Sequence, residues 1–182
     1  MDLLDRKLLI LDLDETLIHA TENRLNHLQH DLAFDKYFVY KRPHVESLLT
    51  VVNAHYDIAI WSSADDDYVD AIVSALITPH VDLKFVWGRS RCTMRKHFDL
   101  DRYVWEKHLK KVKKLDYRLE HMLIVDDSQE KVNNNYGNAI YIKPFEGDTD
   151  DMELIGLGKY LLSIKEVPNF RRLEKRGWSE RY

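Results

Sequence analysis

Asp12 and Asp14 stand two residues apart just past the apolar run Leu8-Leu9-Ile10-Leu11. A second acidic pair, Asp126-Asp127, ends another apolar run that begins near His121. A carboxylate at the end of a buried strand is costly to desolvate unless a cation or hydrogen bonds compensate it. Four such groups, Asp12, Asp14, Asp126 and Asp127, would make an oxygen-only cluster suited to Mg²⁺, which keeps several waters and takes one or two carboxylates. Without a cation, one carboxylate would be forced to hold its proton. A carboxylate can also attack phosphorus and form an aspartyl-phosphate. That attack needs cations to offset the repulsion between carboxylate and phosphate. A second carboxylate two residues on can protonate the leaving alkoxide and then deprotonate the incoming water.

The elements that must position these groups are written in the apolar patterning. Residues 7–13, 37–40, 57–62, 84–87, 121–125 and 139–142 read as strands, and the first is apolar on both faces, as a covered parallel strand would be. Val45, Leu48, Leu49 and Val52 predict a helix entered at Pro43, and Tyr68, Val69, Ile72, Val73 and Leu76 predict another. Trp105, Leu109, Val112, Leu115 and Leu119 predict an amphipathic helix after irregular structure or short hairpins over 88–103, and 152–164 reads as the last helix. Alternating strands and helices predict an α/β, doubly wound three-layer sandwich with a mostly parallel central sheet. Its site should lie outside the carboxyl ends of the strands, at the switch point of the topology. Asp12/Asp14, Ser62/Ser63 and Asp126/Asp127 all fall at such ends.

Composition bounds the possibilities. The 182 residues are enough for one domain, read here as 1–168 with a basic tail over 169–182. Twenty-seven Lys and Arg against 31 Asp and Glu give a net charge of −4, which excludes a generally basic nucleic-acid coat. One cysteine, Cys92, allows no internal disulfide and suits a reducing compartment. No apolar run approaches the roughly 20 residues that span a bilayer, and no signal peptide is visible, so a cytoplasmic protein without membrane partners is expected, with a nuclear one as the alternative. Asp65-Asp66-Asp67 is read as favouring the start of the following helix. Most of the lysines over 107–114 are read as a solvated face, and Arg171, Arg172, Lys175 and Arg176 as a surface segment.

The ordered motifs resemble a known family. Asp12-Leu13-Asp14-Glu15-Thr16-Leu17-Ile18 resembles the DxDxT signature of haloacid-dehalogenase-type phosphatases, in the form found in C-terminal-domain phosphatases and NLI-interacting-factor-like proteins. Lys41-Arg42-Pro43-His44-Val45, Ile60-Trp61-Ser62-Ser63-Ala64, Arg89-Ser90-Arg91-Cys92 and Ile124-Val125-Asp126-Asp127-Ser128 follow in that family's order. The resemblance implies Asp12 as nucleophile and Asp14 as general acid/base, with the Asp14 backbone carbonyl offered to Mg²⁺. It implies Ser62, or its neighbour Ser63, on a phosphoryl oxygen, with Thr16 of the same signature and Arg89 as phosphate- or substrate-binding groups. It also implies a lysine before the last acidic motif; counting back from Asp126 places it at Lys110, among Lys107, Lys111, Lys113 and Lys114. Asp127 would then face Mg²⁺ while Asp126 holds the lysine.

In this superfamily, cap insertions select small substrates. About two dozen residues separate Ile18 from Pro43, room for a flap or small hairpin insertions but for no large cap domain. The expectation is a Mg²⁺-dependent protein serine/threonine phosphatase whose partner is a phosphoprotein. Tyrosine, metabolite or polynucleotide-end phosphates, and a non-catalytic scaffold, are the alternatives.

Overall fold

The computed structural model describes residues 7–77, 81–97 and 101–182. Five parallel strands form its centre: β1 (Leu8–Leu11), β5 (Asp57–Trp61), β6 (Leu83–Trp87), β9 (Met122–Asp126) and β10 (Ala139–Tyr141), in the order β10-β9-β1-β5-β6. β1 is the middle strand, and the chain builds outward from it in one direction through β5 and β6 and in the other through β9 and β10. The switch point therefore falls at the carboxyl end of β1, where Asp12 stands.

Side chains alternate faces along each strand. Leu9, Leu11, Ile58, Ile60, Leu123 and Val125 enter one apolar core, covered by α1 (Val45–Asn53), α2 (Asp66–Leu76) and α4 (Glu153–Ile164). Leu8, Ile10, Ala59, Trp61, Met122 and Ile124 enter a second core on the opposite face. There Leu109 and Val112 of a 3₁₀ turn over Leu109–Leu115 and Val132 of the short helix α3 (Gln129–Val132) form the cover. Asp12 continues the Leu8/Ile10 alternation and Asp126 the Met122/Ile124 alternation, so both carboxylates emerge on the second face. The register pairs Leu11 with Val125, and the Asp12 amide donates to the Val125 carbonyl at 2.9 Å, which fixes the two acids side by side.

Two small antiparallel sheets decorate this frame. β2 (Ile18–Thr21), β3 (Leu32–Phe34) and β4 (Tyr37–Lys41) occupy the insertion after the first acidic motif, ordered β2-β4-β3. β7 (Thr93–His97) and β8 (Arg102–Glu106) form a hairpin. The architecture is thus the expected α/β sandwich with small insertions.

The expected helix through residues 105–119 is absent. Trp105 lies in β8 opposite Met94, and the 3₁₀ turn begins only at Leu109. Leu109, Val112 and Leu115 recur every three residues, the repeat of a 3₁₀ helix, whose side chains eclipse at that spacing. Of the basic residues after Pro168, Arg171, Arg172 and Arg176 are exposed as expected, but Lys175 is buried and the segment packs onto the frame. Phe170 and Trp178 are buried, the Trp178 indole donates to the Tyr141 carbonyl, and the Lys175 ammonium donates to the carbonyls of Gly137, Phe170 and Leu173.

Arg42 ties the insertion to the frame. Its guanidinium is 0% exposed and grips Asp151 in two bonds of 2.9 and 2.8 Å, while Nη1 donates to the Thr16 carbonyl at 3.1 Å. Such a paired fork sets geometry as well as energy. It joins the end of β4, the loop after β1 and the approach to α4.

Candidate active site

Lys107 is the electrostatic centre of the site. Its ammonium is fully buried and lies 2.7 Å from Asp12 Oδ1 and 2.7 Å from Asp126 Oδ2. Burial works against the charge of the lysine, but Asp12 and Asp126 outweigh it and hold the ammonium protonated above the usual lysine range. Burial likewise pushes Asp12 up, yet Lys107 and then Lys131 overcome this and hold its carboxylate below its ordinary value. Asp126 is raised, by burial first and then by the neighbouring charge of Asp12. The two carboxyls of the pair are thus pushed in opposite directions, Asp12 down and Asp126 up.

Asp14 faces a different set of partners. Tyr68 donates to its Oδ1 at 2.7 Å and Ser62 Oγ to its Oδ2 at 3.1 Å. Burial raises its carboxyl, the Tyr68 bond opposes that, and the Asp12 charge adds to it. Two carboxylates two residues apart are thus pushed in opposite directions, the pattern that separates an acid from an ionised partner. Glu15 follows in a left-handed conformation (φ 55) and accepts or shares a proton with His19 Nδ1 at 3.2 Å. Burial, then Asp14 and Asp127, push the Glu15 carboxyl up to about 8.

Asp12, Asp126 and Asp127 each offer a carboxylate oxygen within 4.8 Å of the others. The Asp126 carboxylate is taken up by Lys107 and by the Ser128 amide, which donates to its Oδ1 at 2.9 Å. Asp12 Oδ2 and Asp127 Oδ1, by contrast, are closed to solvent and have no hydrogen-bond donor among the described residues. Buried carboxylate oxygens left in this state are expensive unless a cation serves them. The donor set fits Mg²⁺: all oxygen, two carboxylate oxygens without a hydrogen-bond donor among the described residues, and an Asp14 backbone in the same loop.

Several expected site residues are displaced. Lys110 does not enter the site; it is exposed in the 3₁₀ turn, and Lys107, three residues earlier, takes the place expected of it. Lys107 is the first residue past β8, and it is held by its amide, which donates to the Lys131 carbonyl, and by its carbonyl, which accepts from Asn135. The count back from Asp126 thus put the lysine three residues too late. Thr16 is fully buried, and its hydroxyl is closed to solvent and has no hydrogen-bond partner among the described residues. Ser62 is brought to Asp14, and its Oγ also accepts from the Ala64 amide at 3.0 Å; the Ser63 carbonyl instead accepts from Arg89 Nε at 2.9 Å. Arg89 is further held by Asp65 at 2.7 Å. It lines a cavity of about 580 Å³ with Asp14, Glu15, Phe34, Tyr37 and Tyr68.

Lys131 and Tyr68 are the contributors that the motifs did not single out. Lys131 lies four residues after Asp127, so one helical turn places its ammonium over the acidic pair; that spacing was the available signal. Its Nζ is 3.7 Å from Asp12 Oδ2 and 3.8 Å from Asp127 Oδ1. Tyr68 read as a core residue because it belongs to the apolar stripe of α2, and only its hydroxyl reaches the site.

Comparison with known proteins converges on one family. The sequence profile of the NLI interacting factor-like phosphatases matches residues 7–171. CTD nuclear envelope phosphatase 1B of Danio rerio is 30% identical over 193 residues, covering 94% of this chain and 72% of that protein. CTD small phosphatase-like protein 2 of Dictyostelium discoideum is 28% identical over 169 residues, 90% of this chain but 28% of that protein. In structure, the chain resembles Fcp1, described as an essential RNA polymerase II CTD phosphatase, with a TM-score of 0.61 at 16% identity over 98% of this chain and 60% of that one. It also resembles an uncharacterised protein of Listeria monocytogenes serotype 4b, with a TM-score of 0.58 at 16% identity over 88% and 99% of the two chains. These structural likenesses establish a shared fold. On the profile and the Danio rerio relative, the chain belongs to the NLI interacting factor-like family of haloacid-dehalogenase-type phosphatases.

Proposed function

We propose that the protein is a Mg²⁺-dependent phosphomonoester hydrolase that works through an aspartyl-phosphate on Asp12 and acts on phosphoserine or phosphothreonine in proteins. The observation that carries the chemistry is the opposed setting of two neighbouring carboxylates: Asp12 in contact with buried Lys107 and held below its ordinary value, Asp14 raised and bonded to Tyr68 and Ser62.

A carboxylate oxygen of Asp12 attacks phosphorus in line with the ester oxygen, and the P–O ester bond breaks as the acyl-phosphate bond forms. Asp14, protonated at this stage, gives its proton to the departing alkoxide. It then takes a proton from the water that attacks the acyl-phosphate, releasing inorganic phosphate and restoring Asp12. Lys107 neutralises the nucleophile's neighbourhood, so that a dianionic phosphoryl group can approach. Mg²⁺ held by Asp12, Asp127 and the Asp14 carbonyl would supply charge neutralisation at the phosphoryl oxygens. Ser62 and Arg89 are the remaining groups assigned to the phosphoryl oxygens and the substrate.

A protein substrate is favoured by what surrounds the carboxylates. Both insertions are small sheets, and the 580 Å³ cavity beside Asp14 is walled by Phe34, Tyr37 and Tyr68. Such a cleft receives an apolar side chain next to a phosphorylated one on an extended peptide. The relatives named as CTD phosphatases are consistent with that class.

Hydrolysis of an aryl phosphate and of matched phosphoserine, phosphothreonine and phosphotyrosine peptides tests the reading. Turnover is expected with Mg²⁺, lost in EDTA and lost in Asp12→Asn, with the serine or threonine peptides preferred. Turnover retained by Asp12→Asn overturns the mechanism; preference for phosphotyrosine overturns the substrate class.

A further inference from the structure

Lys131 helps hold Asp12 below its ordinary value but takes no step of the chemistry assigned above, and it sits where two carboxylate oxygens lack a hydrogen-bond donor. Its ammonium faces Asp12 Oδ2 at 3.7 Å and Asp127 Oδ1 at 3.8 Å, the two oxygens closed to solvent and without a hydrogen-bond donor among the described residues. These distances are beyond hydrogen-bonding range, so the lysine neutralises charge without occupying the lone pairs. Lys107 differs on each count. It is fully buried, touches both its carboxylates at 2.7 Å and has no room to leave, whereas the Lys131 side chain is 21% exposed on a flexible stem. The two are also fixed relative to each other, because the Lys107 amide donates to the Lys131 carbonyl at 2.8 Å.

We propose that Lys131 is a mobile counter-cation of the metal position: it neutralises Asp12 and Asp127 when no divalent ion is bound, lowers the affinity for that ion by competing with it, and turns to the phosphoryl oxygens once displaced. The inference rests on the metal-centre reading of the site. A divalent cation and an ammonium cannot both approach these two oxygens without strong repulsion in a poorly solvated pocket. The side chain is 21% exposed, which leaves the displaced ammonium a way out, and a lysine acts on phosphate as a point charge that needs no fixed orientation. The protein would thus bind Mg²⁺ more weakly than its carboxylates allow, and bind phosphate more strongly in return.

The test is isothermal titration of the full chain with MgCl₂, with inhibition by inorganic phosphate measured in parallel. Lys131→Met is expected to bind Mg²⁺ at least about tenfold more tightly and inorganic phosphate about tenfold more weakly, while Lys131→Arg keeps both near the wild-type values. Opposite movement of the two affinities separates this role from a structural one, since a disordered α3 would weaken both. Lys131→Gln carries the same expectation if the methionine variant does not fold. Unchanged or weaker Mg²⁺ binding in a folded neutral variant overturns the proposal, as does an arginine variant that shifts as far as the neutral one. Asp127→Asn separates the two readings: wild-type Mg²⁺ binding that Asp127→Asn abolishes upholds the metal centre, and its absence overturns the centre and this proposal together.

Discussion

Lys107 is buried between Asp12 and Asp126, whereas Lys110 is exposed. Both are lysines of one basic stretch, three positions apart, and they live in opposite environments. Lys107→Met would leave Asp12 and Asp126 as adjacent buried carboxylates with their shared partner gone. Losing one partner of a buried ion pair costs on the order of 3–5 kcal/mol, so urea denaturation should show a loss in that range, with phosphatase turnover falling about a hundredfold or more. Lys110→Met should change stability by less than about 0.5 kcal/mol and leave turnover unaltered, as befits an exposed side chain. Asp14→Asn should lower turnover of an alkyl phosphate ester about a hundredfold or more while sparing the fold, because it removes the proton donor and keeps the shape. The acidic residues of the site were legible in the sequence, since a carboxylate ending an apolar run has few purposes. The lysines were not, because a charge of that sign on a polar stretch gives no sign of which way it turns.

At the scale of elements, the alternation of apolar residues foretold the central sheet, and the stripes of α1, α2 and α4 foretold its cover. Asp126 and Asp12 could be placed together from this alone, since adjacent parallel strands present equivalent positions on one face. The hairpin that begins within 88–103 was legible, but the stretch from Trp105 was misread because a run spaced by threes satisfies a helical pattern loosely and a 3₁₀ turn closely. Of Asp148, Asp150 and Asp151, which precede α4, Asp151 is the buried partner of Arg42. That pair spans 109 residues of sequence, and no local pattern reports it. Arg42→Met should destabilise by about 3–5 kcal/mol in chemical denaturation, because Asp151 would be left buried without a counter-charge. Arg42→Met combined with Asp151→Leu should recover much of that loss, as replacing both members of a buried pair by apolar groups commonly does. Because Arg42 also holds the Thr16 carbonyl, the double variant should refold well yet turn over slowly, its Asp12–Asp14 loop having lost an anchor.

Across the whole molecule, negative charge is gathered at the open end of β1 and β9 and countered there by two lysines of unequal freedom. A divalent cation that binds this folded centre and not the unfolded chain must stabilise the protein by mass action. Thermal denaturation with Mg²⁺ at a hundred times its dissociation constant should therefore show about 2.7 kcal/mol of added stability, removed by EDTA and absent in Asp127→Asn. No helix among the described residues is long and apolar enough to cross a membrane. The claim on which the rest depends is that Asp12 becomes covalently phosphorylated. Acid quenching of wild-type protein within a turnover of a phosphopeptide and Mg²⁺, followed by peptide mass spectrometry, measures it directly. The account predicts a phosphoryl adduct on the peptide carrying Asp12, absent in Asp12→Asn and sensitive to hydroxylamine; full turnover with no adduct on that peptide, or an adduct on another residue, would contradict it.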